Sequence, residues 1–209
     1  MSTDTASPDV GARSAVEIRV LDAVKSCCER WGIEKVTIDD IAAAAGVSRA
    51  TIYRLYPGGK DVMFEALRVR ELEDFFAVLR ERVAGAETVE DLLVRTVVAA
   101  TQELRADDHL ALMLASEPGA TVSELTVDGL PRIIRFATAF LAPMAEPYLG
   151  RTRARAVIDV LSRLTISYFL APSAEVDLGD EPSARAFLAP FLQPIFDLTP
   201  DDAPESLTY

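Results

Sequence analysis

Two cysteines, one histidine and one tryptophan are all that this 209-residue chain holds of three residue types that often carry redox, metal and stacking chemistry. Cys27 and Cys28 are adjacent, a spacing that suits neither an ordinary intrachain disulfide nor a zinc pair, so both are read as core packing in a reducing compartment. His109 follows Asp107 and Asp108 directly, and three contiguous residues cannot converge on one ion from a regular helix. No metal and no cofactor are therefore expected. No apolar run approaches the roughly 20 residues of a membrane span. The first dozen residues lack the basic start and apolar centre of a signal peptide, which makes residues 1–12 a flexible arm and the cytoplasm the default location. Paired carboxylates and nucleophile–base constellations are missing too, which argues against an enzyme.

An excess of positive charge is also lacking. The net charge is −12, which at first opposes nucleic acid as a partner. Its distribution answers the objection. Residues 1–80 hold 11 Lys+Arg against 13 Asp+Glu, whereas residues 81–209 hold 10 against 20. From Gly46 to Lys60 there are three bases, Arg49, Arg54 and Lys60, and no acid at all.

What the chain has is helical periodicity. Arg13 to Trp31 carries Leu21, Val24, Cys28 and Trp31 at steps of three and four, with Gly32 as a stop. Thr37-Ile38-Asp39-Asp40 fits a capping box that opens a second helix. Gly46 breaks that helix where a left-handed turn tolerates no Cβ, and Ser48 caps a third. Ala42 lies four residues before Gly46; Val47, Ile52 and Leu55 lie one, six and nine after it. A small residue for close crossing, a glycine turn and three apolar locks have the spacing of a helix-turn-helix; the same positions would also suit an ordinary helical hairpin.

Pro57-Gly58-Gly59 ends the third helix, and a longer one runs from Lys60 to about Val83, with Val62, Met63, Ala66, Leu67, Leu72, Phe75, Phe76 and Leu79 on its apolar side. Thr88 caps the next helix. A short helical segment spans Asp107 to Ser116, Glu117-Pro118-Gly119 reads as a break, and further helices cover about Leu130 to Ala145, Arg151 to Leu170 and Glu181 to Leu198. Pro172 to Glu181 reads as a loop. Pro190 and Pro194 predict a kink or an early end of the last helix. No alternating strand pattern occurs, so the chain is expected to be all-α.

A short N-terminal three-helix unit followed by an apolar all-helical remainder resembles the tetracycline-repressor (TetR-like) regulators. The resemblance is carried by Arg13 to Leu67, in particular VTIDDIAAAAGVSRATIYRLYPGGKDVMFEAL. It implies a helix-turn-helix DNA-binding domain over residues 13–58, a connecting helix over 59–83, an effector-binding and dimerisation domain over 84–200, and a polar tail over 201–209. By position, Thr37, Ser48, Thr51 and Tyr53 match phosphate contacts, while Arg49, Ala50 and Arg54 lie where side chains face base edges. Tyr56 and Pro57 match the aromatic–proline end of the reading helix. The family lysine position holds Gly59 here, and Lys60 follows one place later; the resemblance implies that Lys60 takes over the phosphate contact and that Tyr56 joins the DNA-binding residues. The resemblance also implies a homodimer joined through the last two helices, with Val157, Leu161, Leu164, Phe187, Phe191 and Ile195 as interface candidates. It implies a small-molecule effector in the second domain, with His109, Met113, Phe136, Phe140 and Tyr168 as candidates by type and location. The expected function is ligand-controlled repression at a palindromic double-stranded DNA operator. The alternatives are an effector-independent regulator or nucleoid-associated protein and, more remotely, an all-helical enzyme or binding protein.

Overall fold

The computed structural model describes residues 14–197 except Glu117 and Asp128. The expected arm (1–12) and tail (201–209) lie outside the described residues. Every regular element among those described is an α-helix, and the chain divides into two units, with the boundary inside one helix between Glu71 and Leu72.

In the first unit, α1 (Ala15–Trp31) starts at a reciprocal cap. The Glu17 amide donates to Ser14 Oγ at 3.2 Å, and the Ser14 amide donates to Glu17 Oε2 at 2.6 Å. Its inner stripe is Val20, Leu21, Val24, Cys27 and Cys28. Trp31, expected on that stripe, is instead 41% exposed: it is the last helical residue, and its ring lies 5.5 Å from the Arg30 guanidinium. Both cysteines are buried and free, and burial pushes the Cys28 thiol up to about 11. The short helices α2 (Ile38–Ala45) and α3 (Arg49–Leu55) close over α1 through Ile41, Ala42, Ala45 and Ile52. Helix α4 (Lys60–Val83) adds Met63, Phe64 and Leu67 to this core. Val62 was expected there too, but it is 43% exposed and sits over Gly58, where a Cβ would lie 2.2 Å from its methyl group.

The second unit is built around α5 (Val89–Ala106), which Thr88 caps and which buries Leu92, Leu93, Val94, Val97, Val98 and Ala99. Helices α8 (Leu130–Leu149) and α9 (Arg151–Leu170) form a hairpin whose only linking residue is Gly150, at φ +71°. Both pack on α5, as does α10 (Glu181–Asp197). Two short helices, α6 (Asp108–Ser116) and α7 (Pro118–Leu125), pair with each other. The predicted break at Glu117-Pro118-Gly119 is thus followed at once by a helix. Pro118 is its first residue, where the missing amide would have had no helical partner anyway.

Helix α10 continues through Pro190 and Pro194 to Asp197, with no early end. Pro190 and Ala186, the residue whose carbonyl it leaves without a donor, are both exposed, so water can serve that oxygen. The predicted loop before α10 is tied down at several points. Leu178 is buried in the core, Arg105 Nη1 donates to Asp177 Oδ1 at 2.7 Å, and Gln102 Nε2 donates to the Gly179 carbonyl at 2.8 Å. No helix among the described residues is long and apolar enough to cross a membrane.

Candidate nucleic-acid interface

The geometry of the Thr37–Lys60 stretch follows from three local devices. Thr37 Oγ1 accepts from the Asp40 amide at 3.2 Å, and Asp40 Oδ2 accepts from the Thr37 amide at 3.0 Å, which fixes where α2 begins. These bonds from the Thr37 hydroxyl and amide hold the Asp40 carboxyl below the usual carboxylate range. Gly46 sits at φ +64°, ψ +37°, a left-handed conformation that closes α2 and that a side chain would strain. Ser48 Oγ then accepts from the Thr51 amide at 3.1 Å and lies 2.9 Å from Thr51 Oγ1, so α3 starts from a capped end.

Ile52 is fully buried against α1 and α2, and this sets the rotation of α3. The side chains left outside are Ser48, Arg49, Ala50, Tyr53 and Arg54, all exposed, with Thr51 half-buried behind them. Thr37 is exposed at the start of α2. Two of the nine predicted DNA-contacting residues sit differently. Tyr56 retains only 6% exposure and packs in the core of the unit, because it caps α3 at the point where the chain turns back towards Met63 and Phe64. Its ring supports the scaffold and leaves the exposed row. Lys60 Nζ donates to the Glu34 carbonyl at 3.4 Å and lies 5.2 Å from the centre of the Phe64 ring. It is therefore engaged with the α1–α2 loop, and a phosphate contact would draw on it only by displacing these partners.

One residue of this surface escaped the sequence reading. Asp39 is exposed and its Oδ1 lies 3.2 Å from Arg49 Nε, bridging the first turns of α2 and α3. The signal was present: a capping box uses only the acid three residues after the threonine, and this sequence has two acids side by side.

The residues proposed for dimerisation and effector binding divide as well. Val157 (7% exposed) and Leu161 (5%) belong to the protomer's own core, and Leu164 and Phe187 pack against it. The reason is rotational: the inner stripe of α9 runs through Ala154, Val157, Ile158, Leu161 and Thr165, towards the rest of the unit. Among the described residues, the large apolar side chains that α9 and α10 leave well exposed are Val160 (61%) and Phe191 (62%). The side chains of Ile195 and His109 lie outside the described residues. Phe136 and Phe140 meet each other at 6.1 Å between ring centres and both stack on Phe76. Tyr168 pairs instead with Phe187, at 5.3 Å, and Met113 lies half-buried on α6. Of the described effector candidates, Phe136, Phe140 and Tyr168 all pack against the core of the second unit, the first two in ring contact with each other and Tyr168 turned to Phe187.

Known proteins bear on this geometry. Residues 20–67 match the family profile described as bacterial regulatory proteins, tetR family. Over 99 residues the chain is 37% identical to an uncharacterized HTH-type transcriptional regulator of Mycobacterium bovis, a stretch covering 47% of this chain and 50% of that protein. The match thus spans about half the length of that relative. An uncharacterized HTH-type transcriptional regulator of Mycobacterium tuberculosis is 27% identical over 188 residues, covering 88% of this chain and 86% of its own. Among solved structures, the TetR family repressor AlkX of a Dietzia strain, implicated in biodegradation of n-alkanes, shares the fold. Its TM-score is 0.64 and its identity 22%, over 90% of this chain and 100% of that one. The fatty acid degradation regulator FadR of Bacillus halodurans does so with a TM-score of 0.52 and 19% identity, over 88% of this chain and 96% of that one. Residues 20–67, which hold the helix-turn-helix with its glycine corner and capped third helix, are thus similar to the N-terminal unit of the tetR family of bacterial regulatory proteins, and over most of its length the chain shares the fold of the two solved structures.

Proposed function

We propose that this protein is a DNA-binding transcriptional repressor that acts as a homodimer on a palindromic operator and is released by a small apolar or amphipathic effector. The observation that carries the DNA-binding part is the outer face of α3. Five exposed side chains, two of them arginines, stand on this helix and its cap, whose start, rotation and turn are all fixed by local bonds and by Ile52. Ser48, Thr51, Tyr53 and Thr37 are placed for backbone phosphates, and Arg49 and Arg54 for base edges, where an arginine fork matches guanine O6 and N7. Two such heads would meet successive major grooves about 34–36 Å apart.

For self-association we assign the outer sides of α9 and α10, around Val160 and Phe191, in place of Val157 and Leu161. For the effector, the core of the second unit favours apolar chemistry. The buried hydroxyls of Thr96, Thr101 and Thr165 donate to carbonyls of their own helices, at 2.7, 2.8 and 2.8 Å, which leaves them no donor for a polar guest. The stacked Phe76, Phe136 and Phe140 rings offer an apolar lining. Two proteins of the same fold are named for n-alkane and fatty acid breakdown, so chain-like apolar compounds are the class to screen first. An effector would lower operator affinity by as much as it prefers the conformation that binds DNA poorly.

The test starts from duplexes selected from a random pool by the full-length protein. Arg49→Ala or Arg54→Ala should weaken binding to the selected duplex far more than to random DNA, whereas Tyr53→Ala should weaken both. If neither arginine substitution alters sequence preference, the assignment of the reading face is wrong.

A further inference from the structure

Asp39 stands out because it places an exposed carboxylate beside a surface meant for a polyanion. Its neighbour Asp40 has a local task, as the second half of the cap that starts α2. Asp39 has none of that kind. Its recorded partner is Arg49, the first residue of α3, with Oδ1 at 3.2 Å from Nε and with both side chains well exposed (67% and 61%). Arg54, one turn further along α3, has no ion pair among the described residues. Of the two candidate base-reading arginines, one is therefore tethered and the other free.

The atom that is held matters. An arginine can offer a guanine either its end-on fork, the two Nη groups, or its side-on fork, Nε with one Nη. The Asp39 carboxylate forms an ion pair at the Nε end of the guanidinium, so side-on approach would bring guanine O6 and N7 towards a negative charge, and the end-on fork is the favoured one. We infer that Asp39 is a specificity-determining positioning residue that orients Arg49 for end-on donation to a guanine while opposing the approach of DNA that offers no such acceptor. The inference rests on the proposed role of Arg49 in base reading. Two effects of opposite sign follow. On the right base, orientation before contact lowers the ordering cost of a long side chain. On any other sequence, the carboxylate near the phosphates is a repulsion without compensation. Because the pair is exposed, it contributes little to folding, so DNA readouts are not confounded by unfolding.

The experiment measures binding of the full-length protein to three duplexes of equal length: the selected operator, the operator with the Arg49-dependent guanine pair replaced, and random DNA. Asp39→Ala should lower the ratio between the first two by up to about fivefold, the ceiling set by an exposed ion pair, and should raise affinity for random DNA. In an Arg49→Ala background the same substitution should leave the ratio unchanged. Asp39→Glu, which keeps the carboxylate, should preserve the ratio, whereas Asp39→Asn, which removes the charge, should lower it as Asp39→Ala does and raise affinity for random DNA. If Arg49→Ala alters base preference but Asp39→Ala does not, the positioning role is overturned and the reading role of Arg49 stands. If Arg49→Ala itself leaves base preference intact, the reading role fails and the positioning role with it. Equal loss of affinity for all three duplexes in Asp39→Ala would make its role merely structural, and an unchanged ratio in Asp39→Asn would show that the ion pair does not orient Arg49; either overturns the proposal.

Discussion

Ser48 combines two tasks that can be separated by one pair of substitutions. Its Oγ caps α3 by accepting from the Thr51 amide at 3.1 Å, and the same hydroxyl is exposed on the face proposed for phosphates. Ser48→Ala removes the cap and the hydroxyl together. Loss of a serine cap costs about 1 kcal/mol, and α3 has only seven residues, so no neighbouring turn can absorb the defect. For a chain of this size that corresponds to a fall in melting temperature of about 2–4 °C. Ser48→Asp divides the tasks. Aspartate caps as well as serine does, and its charge suits the N-terminal end of a helix, so stability should match the wild type. A carboxylate about 5 Å from a phosphate, however, meets a repulsion of roughly 1–3 kcal/mol at effective dielectrics between that of water and 20. That is about five- to a hundredfold in affinity for each reading head. Thermal melting and fluorescence-anisotropy titration on one selected duplex measure both quantities. The expected pattern is Ala unstable and weak-binding, Asp stable and weak-binding. If Ser48→Asp keeps wild-type affinity, Ser48 does not face the DNA backbone, and the orientation assigned to α3 is refuted.

Two further outcomes are expected. Phe191→Glu changes an exposed side chain and should leave the protomer folded, since such surface changes are worth about 0.5 kcal/mol or less. In analytical ultracentrifugation it should shift a dimer to a monomer and should abolish tight operator binding; a variant that remains dimeric removes Phe191 from the interface. Asp40→Asn probes the cap of α2. Because the Asp40 carboxyl is held below its ordinary value when folded, it stabilises the protein above about pH 3.9 and loses that effect as the pH falls through the lower folded value. Urea unfolding should therefore show the wild type more stable than Asp40→Asn at pH 7 and the gap closing below about pH 4; a gap that does not change with pH contradicts the assigned bond.

The all-helical class and most helix starts were legible because they rest on local chemistry. Thr37, Ser48 and Thr88 each cap the helix that their pattern announced, and Gly46 turns where a left-handed residue was needed. What stayed hidden depends on contacts distant in sequence. Periodicity identified an apolar stripe on α9 but not whether it faced this chain or a second copy, so Val157 and Leu161 went to the wrong side of that distinction. Tyr56 fits an aromatic position at the end of a reading helix equally well whether its ring points to DNA or inward. Helix α7 was missed because proline and glycine read as a break, although a proline at the first helical position sacrifices no bond. The Asp39–Arg49 pair spans ten residues and a turn, beyond the reach of any helical period.

These placements explain how an acidic protein can present a surface for DNA. From Ser14 to Glu71 the chain carries nine acids and nine bases, so this stretch is neutral and the acidity belongs to the remainder. Within that stretch the acids are largely engaged. Asp22 pairs with Arg70, Glu71 with Lys25 and Glu65 with Arg68, while Asp40 and Glu17 are held in capping boxes. Among the described residues, Asp39 is the acid that pairs with the reading helix, at Arg49. Arg54 is then the one fully available cation of α3 among the described residues, beside Lys60 bound to the α1–α2 loop. Such a surface gathers few counterion-releasing contacts, which are what drive binding to any sequence. On the proposed interface the hydroxyls hold the backbone of any sequence, and discrimination falls to the arginine fork, which rewards only the matching base pair. The sparse positive charge is thus a means of favouring specific over indiscriminate binding.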